Sequence, residues 1–186
     1  MLKEKIQEDL NSALKEKKEL KVSVLRLLSA AIFNKEKEKR YKLSKEKPEF
    51  TGKELEKESR LTDDEVIEVV TSEIKKRKEA ILEFSAYAKG YGGCTEARGE
   101  GGEKGKIEKF IDKEKAELAI LQKYLPEQLS EEEIKKLAKE VIEKLRATEL
   151  KDIGKVMAEL MPKVKGKAEG SLVNKIVKEL LTSKNE

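Results

Sequence analysis

The feature that most constrains this chain of 186 residues is the spacing of its apolar side chains, which recur every three or four positions. That spacing is typical of amphipathic helices, because an α-helix has 3.6 residues per turn. The apolar residues are mainly Leu, Ile, Val and Ala, while aromatic residues make up only 4% of the chain and Trp is absent. Strands favour aromatic side chains, which are scarce here, and the apolar spacing is helical, so we predict an all-α fold without a sheet.

The spacing predicts about four helices before residue 126. The first should end near residue 18, and the second should fade into the charged run from Lys35 to Lys47. Pro48 and Gly52 then indicate a loop. The first two helices carry the apolar residues Leu2, Ile6, Leu10, Ala13, Leu14, Val24, Leu25, Leu28 and Ile32.

The third predicted helix has a clear start signal. Thr62 is followed three residues later by Glu65, a capping-box pattern in which the two side chains satisfy free amides at a helix start. Its apolar positions, which include Phe84, continue to about Tyr87. Seven of the eleven Gly residues fall between positions 90 and 105, so residues 89–106 are predicted to form a flexible loop.

The fourth helix resumes at Ile107 and should end at Leu125, because Pro126 disfavours helical backbone in the residue before it. We therefore place a domain boundary here. The prediction is an N-terminal helical domain, residues 1–125, which includes the Gly-rich loop, followed by a smaller helical domain, residues 126–186.

The smaller domain is predicted to contain three helices. Ser130 and Glu133 repeat the capping-box pattern, and Pro162 and Gly166 punctuate the two helices that follow. The predicted apolar faces carry Ile134, Leu137, Val141, Ile142 and Leu145 in the first of these helices, Ile153, Val156, Met157 and Leu160 in the second, and Leu172, Ile176 and Leu180 in the third, which begins at Ser171.

The chain contains no His, and Cys94 is its only Cys. These two facts exclude Ser-His and Cys-His nucleophilic catalysis and ordinary structural zinc sites. We interpret Cys94 as an incidental loop thiol, since no base stands near it in sequence. The acidic run Glu131–Glu133 is explained by the helix dipole rather than by a Mg²⁺ site. We expect no catalytic residue, no metal and no cofactor.

Charged residues make up 43% of the chain, with 42 basic and 38 acidic side chains. The excess of positive charge is local. Residues 150–178 carry seven Lys against three acidic residues, and residues 1–47 carry fourteen basic residues against eight acidic ones. Phosphate recognition needs such a local excess, whereas solvated helix faces are the alternative interpretation. The preference for Lys and Glu fits a thermophilic source and equally fits strong helix propensity.

The sequence favours a cytoplasmic protein. Met1 leads directly into the charged Lys3-Glu4-Lys5 without the apolar core of a signal peptide, and no apolar run approaches membrane-spanning length. A single Cys fits a reducing compartment. We therefore expect no membrane association.

Several stretches of the sequence resemble the YqeY family, and the resemblance covers nearly the whole chain. They are Leu25–Leu28, Glu73–Lys78, Lys115–Ser130, Gly154–Met157 and Lys165–Gly170. Members of the family resemble the C-terminal tail of the B subunit of the tRNA-dependent amidotransferase. The resemblance implies a helical domain followed by a smaller one, and a role in holding tRNA, while the parts that perform amide transfer are absent.

The resemblance also implies a site. The family's Lys-Gly-Lys-Ala stretch corresponds to Lys165–Ala168, where Gly166 would let the backbone turn between two helices and present the flanking lysines outward. Amides near Ser171 would add donors for a phosphate. A structural turn without ligand is the alternative interpretation. The predicted nucleic-acid-binding residues are Lys155, Lys163, Lys165, Gly166, Lys167 and Lys175.

Three functions follow as hypotheses. The chain is a tRNA-binding accessory protein, or a non-catalytic partner of amidotransferase subunits or of an aminoacyl-tRNA synthetase, or a carbon-nitrogen ligase with glutamine as amido donor. The third is the weakest, because His is absent and no Ser-rich or Cys-based amidase motif is present.

Overall fold

The computed structural model describes residues 1–90, 103–147 and 150–182. In these ranges the chain forms eight α-helices and one short 3₁₀ turn, and it forms no strand, so the predicted all-α fold is confirmed. The helices are α1 (Leu2–Lys15), α2 (Glu19–Glu46), α3 (Gly52–Glu58), α4 (Asp63–Gly90), α5 (Glu103–Gln122), α6 (Glu131–Lys144), α7 (Ile153–Val164) and α8 (Gly170–Thr182), and the 3₁₀ turn is Leu150–Asp152.

Contacts between residues divide the chain into two compact units, Met1–Tyr124 and Leu125–Glu186. The first unit contains α1 to α5, and the second contains α6 to α8. That the two units are separate domains stays a prediction, as does the division of the sequence into 1–125 and 126–186.

The core of the first unit lies between the long helices α2 and α4 and the helices α1 and α5 that pack on them. Its buried apolar side chains follow the predicted helical spacing. They include Ile6, Leu10, Val24, Leu25, Leu28, Ile32, Val66, Val70, Ile74, Ile111 and Leu121. Two residues assigned to apolar faces are exposed instead, namely Leu14 and Phe84, and the ring of Phe84 lies 4.4 Å from that of Phe110 between centroids.

Helix α2 continues through the charged run to Glu46, so the expectation that it fades there is wrong. Lys, Arg and Glu are good helix formers, and a tertiary anchor adds to their propensity. Glu36 is buried, and its carboxylate accepts hydrogen bonds from Nζ of Lys3 at 2.7 Å and from the backbone N–H of Leu61 at 3.3 Å. The second half of α2 is therefore tied to two other segments of the unit.

Helix α3 raises the number of described helices in the first unit to five, against about four predicted. The hydroxyl of Thr51 accepts from the backbone N–H of Glu54 at 3.4 Å, and the Glu54 carboxylate accepts from the backbone N–H of Thr51 at 2.8 Å. This is a capping box, and the spacing Thr51-x-x-Glu54 is a signal that could have found it. Gly52 is the first residue of this helix rather than a loop marker.

The two capping boxes that were predicted are confirmed. The Glu65 carboxylate accepts from the backbone N–H of Thr62 at 2.8 Å, and the Thr62 hydroxyl accepts from the N–H of Glu65 at 3.3 Å. Ser130 and Glu133 make the same pair of bonds, at 2.8 and 3.3 Å. Helices α4 and α6 therefore begin where the sequence predicts.

The predicted Gly-rich loop, residues 89–106, is helical at both ends. Helix α4 extends to Gly90, and α5 begins at Glu103, because neither end needs a Gly-specific backbone conformation. The remainder of that predicted loop, together with Cys94, falls in residues 91–102, which lie outside the described residues.

Helix α5 ends at Gln122, three residues before the end predicted from Pro126. The backbone N–H of Tyr124 donates to the carbonyl of Leu121 at 3.0 Å, which forms a tighter turn than an α-helix allows. The Tyr124 hydroxyl donates to Oδ2 of Asp9 at 2.9 Å. This contact with α1 fixes the point at which the chain leaves the helix.

The core of the second unit is formed by one face of each of its three helices. Its fully buried side chains are Ile134, Ala138, Val141, Ile142, Ala147, Val156, Leu160, Val164, Val173, Ile176, Val177 and Leu181. Leu145, expected on the buried face, caps the end of α6 and is exposed. Pro162 does not end α7, which continues to Val164, because the missing Pro N–H leaves only the carbonyl of the exposed Ala158 without its helical donor.

Acidification should destabilise the protein below about pH 4, with little change between about pH 5.5 and 8, because the chain has no His. The hydrogen bond from Lys21, followed by that from Tyr124, lowers the pKa of Asp9. The backbone hydrogen bond from Ser130 lowers the pKa of Glu133. A carboxyl whose folded pKa is depressed stabilises the fold above its unfolded pKa, and this is lost as pH falls through the folded pKa.

The measurement is the thermal midpoint followed by circular dichroism across this pH range. Asp9→Asn should flatten part of the acid-induced fall, since it removes one of the titrating groups. A midpoint that already declines between about pH 8 and 5.5 would contradict the assignment to carboxyl groups.

Candidate nucleic-acid interface

The connection between α7 and α8 is a type II β-turn built from residues 164–167. The backbone N–H of Lys167 donates to the carbonyl of Val164 at 2.9 Å. Lys165 has φ −56° and ψ 123°, and Gly166 has φ 71°. The third position of such a turn needs a positive φ, which Gly adopts without the strain that a Cβ atom would introduce.

The segment that precedes α6 holds this turn in place. Nε2 of Gln128 donates to the carbonyl of Gly166 at 2.8 Å, and the backbone N–H of Leu129 donates to the carbonyl of Lys167 at 2.8 Å. Because two successive carbonyls of the turn are bonded to one segment, the backbone there is fixed. The exposed side chains of Lys165 and Lys167 therefore extend from a rigid base.

Lys163 lies in the last turn of α7 and is also exposed. Four of the six predicted residues, Lys163, Lys165, Gly166 and Lys167, thus fall within five consecutive positions, which we call the basic turn. The hydrogen bond from Lys144 lowers the pKa of Glu159, and the charge of Lys163 adds to that effect. Lys163 therefore faces a carboxylate that already has another partner.

The other two predicted residues lie apart from the basic turn. Lys155 is eight positions before Lys163 on α7, and its Nζ lies 3.1 Å from Oδ1 of Asp152. Lys175 lies on α8, where its side chain is exposed. Among the described residues, neither of them forms a hydrogen bond or an ion pair with the basic turn.

The start of α8 differs from the sequence-based expectation. The hydroxyl of Ser171 donates to Oε1 of Glu169 at 2.8 Å. A carboxylate at this position already interacts favourably with the positive end of the helix dipole. The amides near Ser171 are therefore a weak site for a phosphate, and an anion at the basic turn would bind the lysine side chains.

The first unit contains a different concave surface, an open groove of about 660 Å³ between α2 and α4. Ala30, Ala31 and Ser72 are among the residues that line it. Its charged residues are of both signs, and two pairs of them bind each other. These pairs are Lys35 with Glu38 at 3.4 Å and Lys76 with Glu73 at 2.7 Å. The groove therefore offers less local positive charge than the basic turn.

In the described ranges, no three side chains of His, Cys, Asp or Glu come together as a metal site would require. None of the described helices combines the length and the apolar character needed to cross a bilayer. The lysines of the basic turn can donate hydrogen bonds to phosphate oxygens as compact point charges.

A family model for Yqey-like proteins matches residues 3–49 and 101–181 of the chain. The basic turn lies inside the second matched range. Residues 50–100 lie outside the match, so the Glu73–Lys78 stretch is not part of it. The family match therefore covers less of the chain than the resemblance described above, which extended over nearly the whole sequence. No curated protein matches the sequence.

Proposed function

The chain belongs to the YqeY family, and from that membership we propose that it is a tRNA-binding accessory protein without a catalytic site of its own. The basic turn contacts the phosphate backbone of the RNA in this proposal. The observation that carries it is the rigid type II turn with exposed lysines on both sides of Gly166.

Positive charge on a fixed backbone suits phosphate binding for two reasons. Each lysine that neutralises a phosphate releases condensed counterions, which supplies much of the binding free energy. A backbone that is already ordered loses no further conformational entropy when the ligand binds. What supports tRNA over another polyanion is the resemblance to the amidotransferase tail.

The proposal predicts that replacing Lys163, Lys165 and Lys167 together by Gln lowers tRNA affinity by roughly 10- to 100-fold at low salt. The slope of log affinity against log salt should become shallower by about two to three units. Gln keeps a good helix propensity, so circular dichroism should stay unchanged. The measurement is fluorescence anisotropy with labelled tRNA between about 50 and 200 mM salt.

The matched control replaces Lys75, Lys76 and Lys78 of α4 by Gln. Lys76 already pairs with Glu73 at 2.7 Å, and Lys75 lies 3.7 Å from Glu79, so the loss of affinity should be small. Duplex DNA of equal charge should compete less well than folded RNA if shape is recognised. Wild-type protein that shows no salt-dependent tRNA binding would refute the proposal. A role as a non-catalytic protein partner would then be the leading hypothesis.

A further inference from the structure

The outer side of α2 carries aromatic side chains that the fold of the first unit does not cover. Phe33 is 60% exposed and Tyr41 is 62% exposed. Arg26 and Lys37 are exposed on the same helix. Positions 26, 33, 37 and 41 are seven, four and four residues apart, so these side chains lie along one side of the helix. We call this surface, with Arg40 and Lys45, the α2 face.

The side chains on the opposite side of α2 are buried in the core of the first unit. Leu25, Leu28 and Ile32 are all at most 2% exposed. The α2 face is therefore not an alternative packing surface for the helices of its own unit. Exposed aromatic side chains on the same side of a helix as cations are available to stack on the rings of a ligand.

The cations of the α2 face are not neutralised within the described part of the chain. Arg26, Lys37 and Arg40 form no ion pair there, and Arg40 donates only to the hydroxyl of Ser59, at 3.4 Å. Nζ of Lys45 lies 4.4 Å from the centre of the Tyr41 ring.

Three other cations of the same helix, Lys21, Lys35 and Lys39, are neutralised, whereas Lys42 forms no ion pair in the described part of the chain. Lys35 pairs with Glu38 at 3.4 Å, and Lys39 pairs with Glu65 at 2.8 Å. The positive charge that remains in excess on α2 therefore includes the cations beside the two exposed rings.

We propose that the α2 face binds single-stranded RNA, with bases stacked on Phe33 and Tyr41 and phosphates bound by Arg26, Lys37 and Lys45. Alternation of aromatic rings and cations is how sequence-tolerant single-strand sites are built, since every base has a π-face. The alternative ligand is an acidic protein, whose carboxylates could pair with the cations. However, two separated rings do not form the continuous apolar core that a protein interface needs.

The spacing of the rings favours an extended strand over a duplex. Phe33 and Tyr41 are eight residues apart, which is about 12 Å along the helix axis. Stacked bases in a duplex strand are only about 3.4 Å apart, and both faces of each base are occupied there. The two rings therefore contact different bases of an unpaired strand. This site belongs to the first unit and does not depend on the basic turn.

The test uses Phe33→Trp in the full-length chain, because the natural sequence has no Trp and the emission then reports one position. The probe is a 12-nucleotide oligouridylate, compared with double-stranded RNA of the same length at low salt. Stacking should quench the Trp emission with the single strand, and the duplex should bind more weakly and quench less. Equal quenching by both, or none by either, would overturn the proposal.

Substitutions separate stacking from charge. Phe33→Leu with Tyr41→Leu should lower oligouridylate affinity by about tenfold or more without changing the salt slope. Arg26→Gln with Lys37→Gln should instead reduce the slope by about 1.4 units, at about 0.7 for each phosphate of a single strand. The matched control is Phe84→Leu on α4, whose ring already packs on Phe110 and which should leave affinity unchanged. Aromatic substitutions without effect would refute the stacking role.

Two further comparisons identify the ligand and separate the two sites. Gln substitution of the three lysines in the basic turn should leave the quenching by oligouridylate unchanged. The proposal for the basic turn and the proposal for the α2 face can therefore be refuted independently of each other. Polyglutamate is the probe for an acidic protein partner. If it displaces the RNA and quenches the Trp as strongly, the surface recognises acidic protein and the RNA assignment is wrong.

Discussion

Replacing Arg77 by Met is expected to lower the free energy of unfolding of the first unit by about 3 to 5 kcal/mol, because it leaves the buried Glu117 carboxylate with only the exposed Lys113, at 4.0 Å. Nε and Nη2 of Arg77 donate to Oε2 of Glu117 at 3.2 and 3.0 Å, and Nη1 donates to Oε2 of Glu73 at 3.3 Å. The side chains of Arg77 and Glu117 are 9% and 7% exposed. Solvent therefore screens this pair of α4 and α5 very little.

Urea unfolding followed by circular dichroism measures the effect. Arg77→Met combined with Glu117→Leu should recover most of the loss, because an apolar pair of similar volume needs no charged partner. Glu73 retains Lys76 at 2.7 Å in that variant. A surface control, Lys75→Met, should change stability by less than about 0.5 kcal/mol. A double variant as unstable as the single one would show that packing, not charge, explains the loss.

Leu160→Ala is expected to remove about 2 to 5 kcal/mol from the second unit. Leu160 is 0% exposed at the centre of its core. A helical unit of this size has a total stability of roughly 3 to 9 kcal/mol, so the variant should lose about half of that stability and the unit should open far more often. Hydrogen exchange followed by mass spectrometry should show lost protection in α6 to α8, while α1 to α5 stay protected.

The matched control for this prediction is Leu145→Ala. Leu145 is 37% exposed, so its truncation leaves no cavity and should cost well under 1 kcal/mol. Loss of protection in both units upon the Leu160 substitution would mean that they unfold together. The prediction of two separate domains would then be wrong.

The starts of the helices could be predicted more reliably than their ends. Capping boxes depend on residues three positions apart, so Thr62 and Ser130 were readable from the sequence, as Thr51 would have been. The end of α5 depends on Tyr124, which bonds Asp9 across 115 positions. The continuation of α2 depends on Glu36, whose partners are also distant in sequence. Local patterns carry no information about such contacts.

In the candidate site, too, local features could be predicted from the sequence and distant contacts could not. The Lys-Gly-Lys sequence predicts a turn at Gly166, because Gly accepts a positive φ. The bonds from Gln128 and Leu129 that fix this turn join residues 38 positions apart and were not predictable. The pairing of Lys155 with Asp152 lies within one helical turn and could have been read from the sequence.

The bond between Gln128 and Gly166 makes the rigidity of the basic turn a product of the closed second unit rather than of its own short sequence. A chain still being synthesised cannot hold this turn fixed until the residues after α7 have emerged and folded back on the segment before α6. An anion that binds the fixed turn therefore binds the folded second unit in preference to its unfolded states. At a ligand concentration about 100 times the Kd, this selection adds roughly 2.7 kcal/mol to the stability of the unit.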